Sequence, residues 1–290
     1  HNLLYGADIK YGFTRLFDPL DTKYPRLETL IVESTYGAKE DVQPQREDAE
    51  LRLLKVVQET VAQGGNVLFP VFSVGRAQEV MLVLENAYRK GQLEPDSKIY
   101  IDGMTKEASA IHTAYPEYLR KSVQRRVLQN DSPFTSPIFH EVNGVEREKI
   151  LEQGKSLILA SSGMLTGGPS VEYLKHLCDN PKNAMGFVNY QGEGSMGRRI
   201  QKGEREFTFS DGGKQEMLQI KMHIHTVEGF SGHSSRNQLM NFVAKCEPRP
   251  KKAIINHGEN SRCLDLASSI HKGFRIETVA PRNLETVRVK

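Results

Sequence analysis

Leu30-Ile31-Val32-Glu33-Ser34-Thr35-Tyr36-Gly37 is the stretch on which the reading of this chain turns. The run Leu27–Glu33 has the length and composition of a buried strand, and it closes on a carboxylate. A carboxylate in that position is costly to bury unless it is paired or binds metal. Three other polar residues share the setting. Asp8 follows Asn2-Leu3-Leu4-Tyr5-Gly6-Ala7, and His257 closes Ala253-Ile254-Ile255-Asn256-His257. His233 sits in Phe230-Ser231-Gly232-His233-Ser234-Ser235, where an amphipathic helix begins. Sites in open α/β sheets assemble at strand ends. Asp8, Glu33, His233 and His257, on four such elements, are therefore read as one candidate site for metal-dependent hydrolysis.

Outward from this stretch, strand and helix patterns alternate. Gln45–Gln63 reads as a helix with Leu51, Leu54, Val57 and Val61 on its inner face and Gly64-Gly65 as its stop. Asn66–Phe72 is an apolar strand, Arg76–Lys90 a helix with Val80, Leu84 and Ala87 inward, Lys98–Ile101 a strand, and Lys106–Tyr115 a helix. The polar stretch Pro116–Val145 gives no clear pattern. Strand Ser156–Ala160, helix Val171–Cys178 and strand Ala184–Tyr190 follow. Arg205–Phe209 and Met217–Val227 flank the turn signal Asp211-Gly212-Gly213 and read as an antiparallel pair. Helix Ser235–Ala244, strand Lys252–Asn256, helix Arg262–His271 and strand Arg275–Val279 come last. Such alternation predicts an α/β fold with a largely parallel sheet flanked by helices.

At 290 residues and 38% hydrophobic content, the chain can bury a sizeable core in two domains. A net charge of +3 permits nucleic-acid binding without arguing for it, since that takes a basic patch. No apolar window approaches the length of about 18 residues that a membrane span needs, and the first residues do not form a signal peptide. Cys178, Cys246 and Cys263 are odd in number and unpaired in spacing, which predicts a reduced, cytoplasmic chain with no structural cysteine–zinc site. His1-Asn2-Leu3-Leu4-Tyr5 reads as the inside of a strand, so a fragment is expected.

Weaker motifs favour plainer readings. Gly192-Glu193-Gly194-Ser195-Met196-Gly197 spells G-x-G-x-x-G, but the run after it is short and no acidic residue follows at the dinucleotide-binding distance. A turn at a cleft edge is expected instead. His223-Ile224-His225 could ligate a metal jointly, yet Lys221 shares its face, which favours an exposed strand edge. Ser161-Ser162-Gly163 lacks the G-x-S-x-G frame of a nucleophilic serine. Backbone N–H groups over Ser162–Gly168, and Ser73-Val74-Gly75-Arg76 with its guanidinium, are better suited to a phosphate-bearing ligand. His112, His140, His176 and His271 are expected at the surface or half-buried.

With these residues in hand, the chain resembles the β-CASP branch of metallo-β-lactamase-fold nucleases. Leu30–Gly37 looks like motif A, Phe230-Ser231-Gly232-His233 like motif B, and Ile255-Asn256-His257-Gly258-Glu259 like motif C. Asp8, in Tyr5-Gly6-Ala7-Asp8-Ile9-Lys10, falls where the family has its metal-bridging Asp. Pro70–Glu79 and Ala160–Leu165 match the inserted β-CASP cassette. The tail Ala280–Arg288 resembles the archaeal cleavage and polyadenylation specificity factor branch.

The resemblance implies a partial metallo-β-lactamase domain over residues 1–37 and 231–290, with a β-CASP domain inserted over residues 38–230. It implies a zinc-dependent ribonuclease, possessing two zinc ions when complete, that acts in mRNA 3′-end processing or transcription termination. His at motif C points to RNA rather than DNA. By the same resemblance Asp8 bridges the metals and His257 holds the second one. His233, oriented by Glu33, protonates the leaving oxygen. Arg76, Ser231 and Ser234 would hold phosphates of the substrate. A homodimer and no membrane association are expected. The family's H-x-H-x-D-H motif is not in this sequence, so the 290 residues alone are expected to be inactive. The alternative is a non-catalytic RNA-binding or dimerising scaffold paralogue.

Overall fold

The structure is a computed structural model that describes residues 1–142, 147–211 and 214–289. Its elements in chain order begin β1 (Leu3–Gly6), β2 (Thr29–Glu33), α1 (Arg46–Ala62), β3 (Val67–Pro70), α2 (Arg76–Arg89), β4 (Ile99–Asp102), α3 (Thr105–Ala114) and α4 (Lys121–Leu128). There follow β5 (Phe139–Glu141), α5 (Arg147–Glu152), β6 (Leu157–Ala160), α6 (Pro169–Leu177), β7 (Ala184–Phe187) and α7 (Met196–Gln201). The last are β8 (Glu206–Asp211), β9 (Lys214–Gln219), β10 (His223–Thr226), α8 (Arg236–Lys245), β11 (Lys252–Asn256), α9 (Asn260–Phe274) and β12 (Glu277–Val279). The expected α/β class, parallel sheet with flanking helices, is what the chain adopts. The chain divides into two units: His1–Thr14, Asp18–Gln43 and Gly232–Lys290 form the first, and Arg15–Phe17 with Pro44–Ser231 the second.

The first unit is built on a four-stranded sheet in the order β1-β2-β11-β12. Every pairing in it is parallel. Gly6 lies opposite Val32, and Asn256 opposite Glu33. Parallel pairing in this register makes three strands end at one edge, so Asp8, Glu33 and His257 leave the sheet side by side. Leu239 and Phe242 of α8 and Leu266 and Ile270 of α9 pack with Leu30, Val32 and Ile255, all fully buried. Each such side chain contributes about 1.5–3 kcal/mol of transfer free energy. α8 starts in a capping box: Ser235 Oγ accepts from the Gln238 N–H, and Gln238 Oε1 accepts from the Ser235 N–H. Those two bonds satisfy donors that a helix start otherwise leaves open.

The second unit holds a six-stranded, all-parallel sheet in the order β10-β7-β3-β6-β4-β5. Its central strands are apolar throughout because both faces are covered. Val67, Phe69, Ile99 and Leu157 enter one core with α1 and α2, while Leu68, Ile158 and Met185 enter another with Tyr173 and Leu174 of α6. The segment Arg15–Phe17 is held within this unit by Glu79, whose carboxylate accepts from the N–H groups of Arg15 (2.7 Å) and Leu16 (2.9 Å). A buried charge network surrounds that contact. Arg15 Nε lies 2.5 Å and Arg46 Nε 3.0 Å from Glu50 Oε1, and Arg46 Nη2 lies 2.7 Å from Glu79. The Arg46 guanidinium also sits 4.1 Å over the ring of Phe230.

Several local expectations are corrected. Leu51 points to solvent, and Leu53 takes the inner face instead, with Leu54 and Val57. The run Met217–Val227 is not one strand. β9 ends at Gln219 and pairs antiparallel with β8, as expected of that part. The N–H groups of Lys221 and Met222 then both bond to the Cys178 carbonyl, which turns the chain so that β10 joins the large sheet parallel to β7. Gly212-Gly213, the turn signal between β8 and β9, lies outside the described residues. The unreadable stretch contains α4 and β5, short elements whose polar faces hide their few inward side chains. Among the described residues, no helix is long and apolar enough to cross a membrane.

Candidate metal centre

The loops that leave β1, β2 and β11 carry the site, all within the first unit. Asp8 Oδ1 lies 3.5 Å from His233 Nε2 and 3.5 Å from His257 Nε2. Among the described residues these three form a cluster whose ligand atoms all lie within 4.8 Å of one another. The two imidazoles stack with ring centroids 5.6 Å apart. Asp8 and His257 both take left-handed backbone conformations, with φ of 54° and 49°. Non-glycine residues adopt that region sparingly, and strained residues cluster at functional sites.

Behind the cluster lies Glu33, fully buried at the end of β2. Its Oε1 accepts from the Ile9 N–H at 2.7 Å, and its Oε2 meets His233 Nδ1 at 2.6 Å. Both oxygens are thereby occupied, which is the condition on which a carboxylate tolerates burial. Thr35 Oγ1 lies 3.2 Å from His233 Nδ1 and 3.4 Å from His257 Nδ1. Both Nδ1 atoms thus face inward to protein partners, and both Nε2 atoms face Asp8.

Backbone clamps fix the loops. Ser234, expected on the sequence to hold a phosphate, is instead fully buried. Its Oγ donates to the Ile9 carbonyl (2.9 Å) and accepts from the Tyr11 N–H (2.8 Å), so it ties the Asp8 loop to His233. Lys10 Nζ donates to the His233 carbonyl at 2.7 Å. Ser34 Oγ donates to the Asn256 carbonyl at 2.9 Å, and the Ser34 N–H donates to the His257 carbonyl at 3.3 Å. At Gly258 a Cβ would stand 2.4 Å from Ser34 Oγ, which is why glycine follows His257. Sequence reasoning missed Thr35 as a functional residue, although it lies inside the motif that set the fold. A hydroxyl two positions past a strand gives no signal until its partners are known.

Other candidate residues belong to the second unit. Arg76 opens α2, and its Nη1 donates to the Phe230 carbonyl. Ser231 is buried there. Ser162 Oγ accepts from the Thr166 N–H at 3.0 Å, which closes its loop on itself. Gly192–Gly197 forms the turn into α7, a helix of six residues with Ser195 as its N-cap. His223 and His225 share a face of the edge strand β10, and burial, then the neighbouring His223, holds the His225 imidazole below its usual range. His112 and His140 are half-buried, and His176 and His271 are exposed.

Two imidazole nitrogens and a carboxylate oxygen face one another here, each imidazole anchored through its other nitrogen, and His257 Nε2 with Asp8 Oδ1 supplies an imidazole and a carboxylate for a metal. That set fits zinc, which takes His and carboxylate ligands and whose histidines are oriented by such outer partners. Comparison with known proteins agrees with this chemistry. Residues 77–200 match the Beta-Casp domain, and residues 217–281 match the Zn-dependent metallo-hydrolase RNA specificity domain. The chain thus contains a Beta-Casp domain and, after it, a Zn-dependent metallo-hydrolase RNA specificity domain. It is 52% identical over 293 residues to the transcription termination factor FttA of Methanothermobacter thermautotrophicus, covering all of this chain and 46% of that protein. The transcription termination factors FttA of Pyrococcus abyssi and Pyrococcus horikoshii are 50% and 51% identical over 294 residues, covering all of this chain and 45% of each relative. The chain therefore spans about half the length of these curated relatives.

Proposed function

We propose that this chain serves a zinc-dependent ribonuclease that hydrolyses RNA phosphodiesters, and that the cleavage acts in transcription termination or mRNA 3′-end formation. The observation that carries the reading is the convergence of Asp8, His233 and His257 on one point, with the buried Glu33 behind them. The RNA specificity domain matched by residues 217–281 supports RNA as the substrate. Residues 1–37 and 231–290 are read as the metallo-β-lactamase domain and residues 38–230 as the β-CASP domain.

Asp8 and His257 are proposed as the residues that would hold zinc. Zinc, when bound, polarises a phosphoryl oxygen and lowers the pKa of water toward about 7. Glu33 holds the proton on Nδ1 of His233 by accepting it, so Nε2 is the nitrogen at which that ring gives or takes a proton. From there His233 can protonate the leaving oxygen as general acid. Arg76 and Ser231 are proposed to hold flanking phosphates; the clamp made by Ser234 argues against the same task for it.

The sequence contains no H-x-H-x-D-H motif, so a second zinc needs ligands from outside these 290 residues, and the chain alone is expected to leave RNA intact. A cytoplasmic homodimer completes the proposal, to be checked by sedimentation. The deciding experiment is cleavage of end-labelled RNA by protein of the relatives' full length, before and after chelation. Cleavage that chelation abolishes and zinc restores supports the reading. RNA that is bound but never cut with zinc present sinks it in favour of a non-catalytic RNA-binding scaffold.

A further inference from the structure

Thr35 stands behind both imidazoles of the cluster and is buried. The hydrogen bonds around it allow two placements of its proton, and only one of them suits a metal at His257. An ionised Glu33 can only accept, so His233 Nδ1 is a donor toward Glu33 Oε2 at 2.6 Å. Thr35 Oγ1, 3.2 Å from that same nitrogen, can therefore only accept from it. The hydroxyl proton is left with the His257 carbonyl, 3.3 Å away, or with His257 Nδ1, 3.4 Å away. If it goes to the carbonyl, Oγ1 also accepts from His257 Nδ1–H, and Nε2 of His257 keeps a lone pair facing Asp8. If it goes to Nδ1, the proton of a neutral His257 must sit on Nε2, which removes the lone pair that a metal needs.

We infer that Thr35 is the positioning residue of this centre: its hydroxyl accepts from both Nδ1 atoms, donates to the His257 carbonyl, and so sets both Nε2 atoms toward Asp8. This rests on the metal-centre reading above for its consequence, though not for its geometry. A carboxylate serves Nδ1 of His233, and at Nδ1 of His257 the Thr35 hydroxyl takes that place. Outer partners of this kind typically alter metal affinity 10–100-fold.

The test uses the metal-free 290-residue chain with ¹⁵N-labelled histidine. Long-range ¹H–¹⁵N correlation is expected to show His257 carrying its proton on Nδ1 when neutral. In Thr35→Val that preference is expected to be lost, and zinc affinity, read by competition with a chromophoric chelator, to fall about 10–100-fold. Thr35→Ser is expected to restore both. Unchanged tautomer and affinity in Thr35→Val overturn the inference. So does a wild-type His257 protonated on Nε2, which decides the matter even if the valine variant fails to fold. Wild-type protein that takes up no zinc while showing the Nδ1–H tautomer would count against the metal-centre reading and leave the role of Thr35 standing.

Discussion

Glu33 Oε2 and His233 Nδ1 meet at 2.6 Å across a sequence separation of 200 residues. The other oxygen of the same carboxylate accepts from the N–H of Ile9, the residue next to Asp8, which faces the same imidazole. One buried group therefore orients the imidazole and fixes the strand-end loop that carries the carboxylate facing it. This makes Glu33 a sensitive point.

In Glu33→Gln the side chain keeps its shape but offers one acceptor where two donors point at it. Its amide NH₂ must face either the Ile9 N–H or His233 Nδ1–H. Urea denaturation is expected to show a loss of about 1–3 kcal/mol, the cost of a buried unsatisfied donor. Because the carboxylate also anchors the loop that carries Asp8, zinc affinity is expected to drop about 10–100-fold. Wild-type affinity in this variant would mean that the carboxylate does not orient the site.

His233→Ala and His257→Ala are expected to separate the two histidines. Metal analysis by mass spectrometry should find zinc lost from His257→Ala and retained in His233→Ala. RNA cleavage by the full-length protein carrying His233→Ala should slow about 10²–10⁴-fold, as for a missing general acid. Loss of zinc from both variants would make His233 a ligand rather than a proton donor.

Glu50 is expected to give the fold part of its acid sensitivity. Burial alone would raise its pKa, but the hydrogen bonds from Arg15 and Arg46 outweigh burial and hold it below the ordinary carboxylate value. A depressed folded pKa contributes stability that is complete above the unfolded value of about 4.3 and is lost as pH falls through the folded value. Glu50→Gln should therefore cost about 2 kcal/mol at pH 7 and progressively less below about pH 4. Parallel stability–pH curves for the variant and the parent would refute this.

Gly258→Ala should disturb the site without touching a ligand. The new Cβ would meet Ser34 Oγ at 2.4 Å and the Ser34 carbonyl oxygen at 2.5 Å, so the His257 loop must move off β2. Overpacking of this kind costs about 1–3 kcal/mol. Thermal unfolding should report that loss together with weaker zinc binding, whereas Gly64→Ala, where no atom lies within 4 Å of the new Cβ, should leave zinc binding unchanged.

The sequence alone determined most of the elements and pointed to the residues that the fold gathers into the candidate site. Continuous apolar runs ending in Glu33 and Asn256 can only be buried parallel strands, and parallel strands bring their ends to one edge. Asp8, Glu33 and His257 were legible for that reason, as was His233 from its motif and helix start. What tertiary structure decided was each polar group's partner. Asp102 also closes an apolar strand and is buried, yet Arg147 (2.7 Å) and Tyr173 (3.1 Å) take its oxygens, while Glu33 receives an imidazole. Nothing local to either strand distinguishes the two. Ser234 changed from an expected phosphate ligand to a loop clamp, and Thr35 emerged as a hub, through contacts spanning about 200 residues of chain. Hydrophobic periodicity is a property of neighbours in sequence and can be read there. A hydrogen bond depends on where two distant backbones come to rest, and only the folded chain brings them together.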